Sequence, residues 1–149
     1  GADPARGVEI LLDALTHHRA ALERNPDHPE YRTRMRFDLI NLSTTYLQVR
    51  SHRAAADTID EIITIAPPSA DTILASAAIL ARASVLAADD ATLSEPDRRA
   101  LADTYADRAI SLLRDALDRD LISAETLSTN VSLDPLRSLP AYRALLDRP

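Results

Sequence analysis

After Gly7 the chain contains no further glycine, and this absence restricts its folds and functions more than any other feature of the sequence. Glycine supplies, at the least cost, the positive-φ backbone that approaches a phosphate group closely, so P-loop and dinucleotide-binding motifs are excluded. The sequence also contains no lysine and no cysteine, which removes Schiff-base chemistry and thiolate nucleophiles. These absences favour an interaction scaffold over an enzyme.

The composition predicts a helical core in one domain. Hydrophobic residues make up 46% of the 149 residues and aromatic residues only 3%, so Leu, Ile and Ala must build the core. Such slim side chains favour close helix packing, and the length fits a single domain, residues 1–149. The net charge of −6 disfavours a nucleic acid partner. No uninterrupted apolar stretch approaches a membrane span, and cysteine is absent, so we expect no membrane insertion and a cytoplasmic location.

Helical periodicity runs almost end to end and predicts five main helices. The predicted helices span about 5–24, 29–49, 52–65, 70–88 and 95–119. Ser51 and Ser69 are predicted to cap two of them, and Ser94 with Asp97 resembles a capping box. Residues 120–149 are predicted to form a C-terminal cap of short helices. Residues 1–4 are interpreted as a linker or a cloning remnant.

An internal repeat is the strongest positive signal. Four positions of the first helix and its exit recur with the same spacing 41 residues later. The first set is Ala14, His18, Ala21 and Pro26, and the second set is Ala55, Ile59, Ile62 and Pro67. Upstream of the second set, the large, Leu, small and Tyr positions of the tetratricopeptide consensus are matched by Leu39, Leu42, Ser43 and Tyr46. A weaker third copy comprises Leu74, Ala77, Ala78 and Ala81, followed by Ala109, Leu113, Ala116 and Leu117.

This pattern resembles the tetratricopeptide repeat, although the period is 41 residues rather than about 34. The resemblance implies an all-α fold of antiparallel helix hairpins, a solenoid of about two and a half repeats. The seven extra residues precede Leu39 and lengthen the second helix by about two turns. An irregular helical bundle, in which the alanine spacing coincides by chance, is the alternative.

Two stretches sharpen the resemblance: residues 25–32, Asn-Pro-Asp-His-Pro-Glu-Tyr-Arg, and the tail at residues 133–146. Both resemble the helical-repeat region that follows the kinase domain in planctomycete-type bacterial serine/threonine protein kinases. The resemblance covers most of residues 20–146 and implies the C-terminal regulatory part of a larger bacterial protein. The chain has no Gly-rich loop, no phosphate-binding lysine and neither the His-Arg-Asp nor the Asp-Phe-Gly motif, so kinase activity would lie outside it.

Candidate catalytic and metal-binding residues have simpler explanations. Of the four histidines, only His17 has a carboxylate at i−4 spacing, Asp13, and no third ligand is evident. The better explanation is that these residues lie on a solvent-exposed helix face and bind no metal. Surface charge likewise explains carboxylates at helical spacing, such as Asp103 and Asp107, and no nucleophile elbow is present. We therefore predict no catalytic residues, no metal and no cofactor.

A peptide-binding groove is the site that the repeat resemblance implies. Ligands of tetratricopeptide repeats contact the concave face of the first helix of each hairpin. Carried over position by position, that face consists of Phe37, Ile40, Asn41, Thr44 and Leu47. In the weaker copy the same face has Thr72, Ala75, Ile79 and Arg82. The apolar neighbours of Asn41 favour an apolar peptide or helix as the ligand. The alternative is that this face binds no ligand because the fifth helix or the tail of the chain covers it.

The arginines of this region allow a second kind of partner. A locally basic surface on the acidic chain would comprise Arg32, Arg34, Arg36, Arg50 and Arg53. This surface would recognise an acidic or phosphorylated segment of a partner. The simpler interpretation is that the arginines are exposed to solvent and bind no partner.

The sequence therefore predicts a non-catalytic scaffold that binds a protein or peptide. The first helix resembles the second half of an incomplete hairpin. Its stripe, Val8, Leu11 and Leu15, should be covered by upstream chain, by a second copy of the protein or by a neighbouring molecule. A structural homodimerisation domain is the first alternative, and a small hydrolase that uses surface carboxylates or histidines is the second. A deep polar pocket that gathers His and Asp from different helices would favour the hydrolase.

Overall fold

The computed structural model describes residues 3–65 and 67–148, and these residues fold into helices without any β-strand. The chain divides into two compact units, residues 1–68 and residues 69–149, which are described separately. The sequence predicted one domain over the same span. Gly1 and Ala2, interpreted as a linker or remnant, lie outside the described residues.

The first unit, residues 1–68, contains three helices: α1 (Pro4–Arg24), α2 (Pro29–Gln48) and α3 (His52–Thr64). Asp3 caps α1 by accepting a hydrogen bond from the Ala5 amide at 3.0 Å, so residues 3 and 4 belong to the helix start rather than to a linker. Pro4 and Pro29 both occupy first-turn positions, where a missing N–H costs nothing. Local signals therefore set the start of two of the three helices.

Small side chains allow the three helices to approach closely. Helix α2 packs against both α1 and α3. The Ser43 hydroxyl, fully buried on α2, donates a 2.7 Å hydrogen bond to the Ala55 carbonyl on α3. The flanking helices are joined directly by Arg19 of α1, whose guanidinium forms a two-pronged ion pair with Glu61 of α3 at 2.9 Å. Because α1 and α3 each run antiparallel to α2, the unit is a three-helix bundle.

The second unit, residues 69–149, begins with two long helices, α4 (Ala70–Ala88) and α5 (Glu95–Asp118). Three short ones follow: α6 (Ala124–Thr129), a 3-10 helix (Val131–Leu136) and α7 (Pro140–Leu146). Ser84 of α4 donates a 2.9 Å hydrogen bond to the Ala102 carbonyl of α5. Ser84 lies 41 residues after Ser43, which makes the matching bond in the first unit.

The tail packs as a cap on the α4–α5 hairpin. The 3-10 helix contacts α4, and α7 contacts both α5 and α6. Tyr142 is fully buried, and its hydroxyl donates a 2.8 Å hydrogen bond to the Leu127 carbonyl. Four apolar side chains of this cap are also buried: Leu127, Leu133, Leu136 and Leu145. The tail therefore consists of short helices, as the sequence predicts.

The five predicted main helices are confirmed to within about two residues at each end, whereas the predicted caps are only partly right. Ser69 and Ser94 accept hydrogen bonds from backbone amides three residues ahead, as expected of N-caps. Ser51 makes no such side-chain bond. Its amide instead donates to the Tyr46 carbonyl at 2.8 Å, and the preceding residue, Arg50, has a φ of 60°. The residue predicted to start α3 therefore takes part in the turn that ends α2.

Among the described residues, α4 is the one helix that is long and apolar enough to cross a membrane on length and composition alone. More than half of that stretch, 56%, is buried inside the protein. Ten of its residues are buried, among them Ile73, Leu80 and Leu86. Core helices of soluble proteins pass the same test.

Candidate functional site

A groove of about 360 Å³ lies between α1 and α2 of the first unit. Its lining consists of His18 from α1 and four α2 residues: Thr33, Arg34, Phe37 and Asp38. Phe37 is 65% exposed, although an aromatic ring of this size is normally covered in a folded protein. The groove therefore presents a large apolar side chain to solvent, next to polar groups from both helices.

One wall of the groove is formed by a close polar contact between the two helices. The imidazole Nε2 of His18 lies 2.9 Å from a carboxylate oxygen of Asp38. The two side chains are only 23% and 21% exposed, so this contact is half-buried. The sequence does not predict this pair, because the two residues are 20 positions apart and no helical spacing links them. One feature of the sequence indicates that His18 faces another helix: it lies on the same face of α1 as the small residues Ala14 and Ala21.

The arginines near the groove are engaged locally. Arg34 pairs with Glu30 one turn earlier at 3.0 Å. Arg32 donates to the Pro26 carbonyl at 2.8 Å and pairs with Asp27 at 3.3 Å. Because nearby carboxylates balance these two guanidinium groups, they form a less basic surface than their sequence clustering indicated.

The predicted groove residues are spread over both units. Phe37 and Thr44 are exposed on α2, whereas Ile40, Asn41 and Leu47 are half-buried there. The Thr44 hydroxyl donates to the Ile40 carbonyl at 2.9 Å, so it is partly satisfied by its own helix. Of the six predicted residues, Phe37 alone lines the α1–α2 groove that the structure describes. Arg82 is exposed on α4 in the second unit, where Thr72 and Ile79 of the same predicted face are buried.

The stripe predicted on α1 is partly covered within its own unit. Leu15 is completely buried, and Val8 and Leu11 are half-buried. The exposed apolar side chains of α1 are instead Ile10, at 59%, and Leu12, at 41%. Leu15 is therefore covered without an external partner, and the most exposed apolar side chains of α1 are not those of the predicted stripe.

The groove contains two members of a hydrolytic triad but no activated nucleophile. Its histidine and aspartate come from different helices, which is the arrangement that would favour a hydrolase. Thr33 is the one hydroxyl in the lining, and it donates to the Pro29 carbonyl at 2.9 Å rather than to His18. Within the described residues, no group of three or more His, Cys, Asp or Glu is placed to hold a metal ion. His17 and Asp13 are 3.7 Å apart, and both are largely exposed.

Comparison with protein-family models, with curated proteins and with solved structures gives no match for this chain.

Proposed function

We propose that this chain is a non-catalytic helical-repeat scaffold that binds a protein or peptide at the α1–α2 groove. The observation that carries the proposal is the 65% exposure of Phe37 beside a groove of about 360 Å³. Exposed aromatic side chains that border concave surfaces are enriched at protein interfaces, because they bury a large area at a small cost in conformational entropy. The contact between His18 and Asp38 joins α1 and α2 along one wall of this groove.

The repeat interpretation belongs to the same proposal and is supported by two matching hydrogen bonds. Ser43 and Ser84, 41 residues apart, each bond a carbonyl of the following long helix. A small residue at equivalent helix crossings is what a tetratricopeptide-like repeat requires. A register of 41 residues differs from the predicted third copy, which begins at Leu74. It would place Leu80, Ala83 and Ala87, all buried, at the positions of Leu39, Leu42 and Tyr46.

The cellular context is also a proposal and rests on the sequence resemblance alone. The chain would be the C-terminal regulatory part of a larger bacterial protein, such as a serine/threonine kinase, and would act in the cytoplasm. It would not insert into a membrane. A catalytic role receives less support, because Thr33, the one hydroxyl among the described residues that line the groove, is hydrogen-bonded to its own helix.

The proposal can be tested by selecting peptides from a displayed library against the full chain. Selected peptides are then titrated into isotopically labelled protein, and amide shifts are mapped by nuclear magnetic resonance. We expect shifts around Phe37 and His18, and we expect Phe37→Ala to weaken binding by about tenfold or more. Val131→Ala, which truncates a 75% exposed apolar side chain in the second unit, is the matched control. Failure to recover any peptide that shifts the first unit would refute the proposal.

A further inference from the structure

We infer that the α1–α2 groove takes a basic side chain of a partner peptide, preferably an arginine, which stacks on Phe37 and pairs with Asp38. The inference rests on the proposed function, and it specifies the chemistry of the peptide that the groove binds. It is argued from the hydrogen-bond partners of the charged side chains at the groove and from the exposed ring of Phe37.

The Asp38 carboxylate keeps one oxygen available to a ligand. Its Oδ2 lies 2.9 Å from Nε2 of His18, whereas its Oδ1 has no hydrogen-bond or ion-pair partner among the described residues. The side chain is 21% exposed and lines the groove, so the open oxygen remains within reach of a ligand. A half-buried carboxylate attracts a cationic N–H donor more strongly than a fully solvated carboxylate does.

Arg34, the one arginine among the described residues that line the groove, is already paired. Its Nη2 donates to Oε1 of Glu30 at 3.0 Å, one turn earlier on α2. Glu30, Arg34 and Asp38 follow one another at four-residue spacing, so they lie along one face of the helix. When histidine is neutral, two carboxylates and one guanidinium leave this face with a net negative charge. Charge at the groove therefore favours a cationic ligand group over an anionic one.

Phe37 supplies a surface on which a cation can stack. Its ring is 65% exposed and lines the same groove. The negative face of an aromatic ring attracts a guanidinium, which is planar and can stack on the ring while its N–H groups bond a carboxylate. Phe37 and Asp38 are consecutive residues that both line the groove, so a single arginine side chain can contact both. Lysine would form the ion pair without the planar stacking.

The size of the groove and the charge of the whole chain agree with this ligand. A volume of about 360 Å³ is at the small end of the range for ligand pockets, which suits one or two side chains of a peptide. The net charge of −6 steers a basic peptide toward the protein. An acidic or phosphorylated segment would instead meet the like charges of Glu30 and Asp38.

Three displayed peptide libraries test the inference. They are identical except for one fixed central residue, which is Arg, Gln or Glu, and each is selected against the full chain. We expect to recover peptides mainly from the Arg library. The tightest of these, made as a fluorescent peptide and titrated by anisotropy, should bind about fivefold more tightly than its counterpart with Gln at the fixed position. Added salt should weaken the binding of the Arg peptide.

Substitutions with opposite expected effects locate the contact on the protein. Asp38→Asn keeps the size of the side chain and removes its charge, so it should weaken binding of the Arg peptide by about fivefold. Phe37→Leu keeps an apolar side chain without a ring and should weaken binding by about threefold. Arg34→Gln removes a like charge beside the ligand and should strengthen binding by about twofold. Asp57→Asn, at an exposed position of α3, is the matched control and should leave the affinity unchanged.

Circular dichroism checks that each variant is folded, and Arg34 is 63% exposed, so Arg34→Gln decides the question even if Asp38→Asn disturbs the contact with His18. Equal recovery from the three libraries of peptides that shift the Phe37 amide would overturn the inference and leave the proposed function standing. Recovery mainly from the Glu library, with binding that Arg34→Gln weakens, would do the same. Recovery of no peptide from any library would refute the proposed function as well.

Discussion

At the scale of single residues, the serines of the long helices show how placement decides whether a buried hydroxyl stabilises the fold. Ser43 and Ser76 are both completely buried. The Ser43 hydroxyl donates to the Ala55 carbonyl, whereas the Ser76 hydroxyl has no hydrogen-bond partner in the part of the chain that the structure describes. A buried polar group without a partner keeps its desolvation cost and gains nothing in return.

Replacing Ser76 should therefore stabilise the protein. We expect Ser76→Ala to raise the free energy of unfolding by about 1 kcal/mol, since an unsatisfied buried hydroxyl costs about 1–3 kcal/mol. Ser43→Ala is the matched control. This substitution removes a hydrogen bond and should therefore lower the free energy of unfolding by about 1 kcal/mol. Urea titration of both variants measures the difference. A Ser76→Ala variant that is less stable than wild type would contradict the assignment of an unpaired hydroxyl.

Tyr142 gives the second unit a dependence on alkaline pH. Burial raises the pKa of its hydroxyl above the ordinary value of 10.0, an effect that the nearby guanidinium of Arg137 partly offsets. The folded state therefore holds the phenolic proton more tightly than the unfolded state. The resulting stability is complete below pH 10.0 and is lost as pH rises through the higher folded-state pKa.

We expect the free energy of unfolding to fall with rising pH above about 10. Tyr142→Phe should remove this slope, although it also removes the hydrogen bond to the Leu127 carbonyl and so lowers stability at neutral pH. Urea titrations at pH values from 8 to about 11 measure both effects. Tyr46→Phe, at a half-buried tyrosine of the first unit, is the control. An unchanged slope in Tyr142→Phe would show that another group causes the pH dependence.

At the scale of helices, α2 and α5 end in the same way without glycine. Arg50 and Asp120 have φ values of 60° and 55°, and the next amide in each case bonds a carbonyl of the last helical turn. Glycine is the usual residue at this position because it has no Cβ to clash. The absence of glycine after Gly7, which excludes phosphate-binding loops, thus also leaves backbone strain at two helix ends.

Relieving that strain at Asp120 should stabilise the second unit. We expect Asp120→Gly to raise the free energy of unfolding by about 0.5–1 kcal/mol, because glycine adopts a positive φ freely. Asp120→Asn is the control, since it removes the unfavourable charge at the helix C-terminus while keeping a side chain. Thermal unfolding of both variants separates the two effects. Equal gains from Gly and Asn would assign the whole effect to charge.

Helix boundaries could be predicted from sequence because local residues determine them. Proline at first-turn positions, together with serines at Ser69 and Ser94, marks helix starts without reference to the rest of the chain. Contacts between helices are different, because distant residues such as His18 and Asp38 meet only after packing. Phe37 is therefore the one predicted binding residue that lines the α1–α2 groove, and it is exposed on α2.

At the scale of the whole molecule, the division into residues 1–68 and 69–149 predicts where cooperative unfolding is confined. Side chains that contact mainly their own unit should transmit a local destabilisation within that unit. Leu39 in the first unit and Leu127 in the second are both almost fully buried, so each serves as a probe of its own core. Replacing either leucine by alanine should lower the free energy of unfolding by about 2–5 kcal/mol.

Native-state hydrogen exchange, followed by mass spectrometry, measures which helices each substitution destabilises. Leu39→Ala should accelerate exchange of protected amides in α2 and α3 and leave those of α5 close to their wild-type rates, because the opening that exposes them does not involve the first unit. Leu127→Ala should have the reverse effect. If either substitution accelerated exchange equally in α2 and α5, the chain would unfold as one cooperative body. The single domain predicted from its length would then describe its energetics better than the two units.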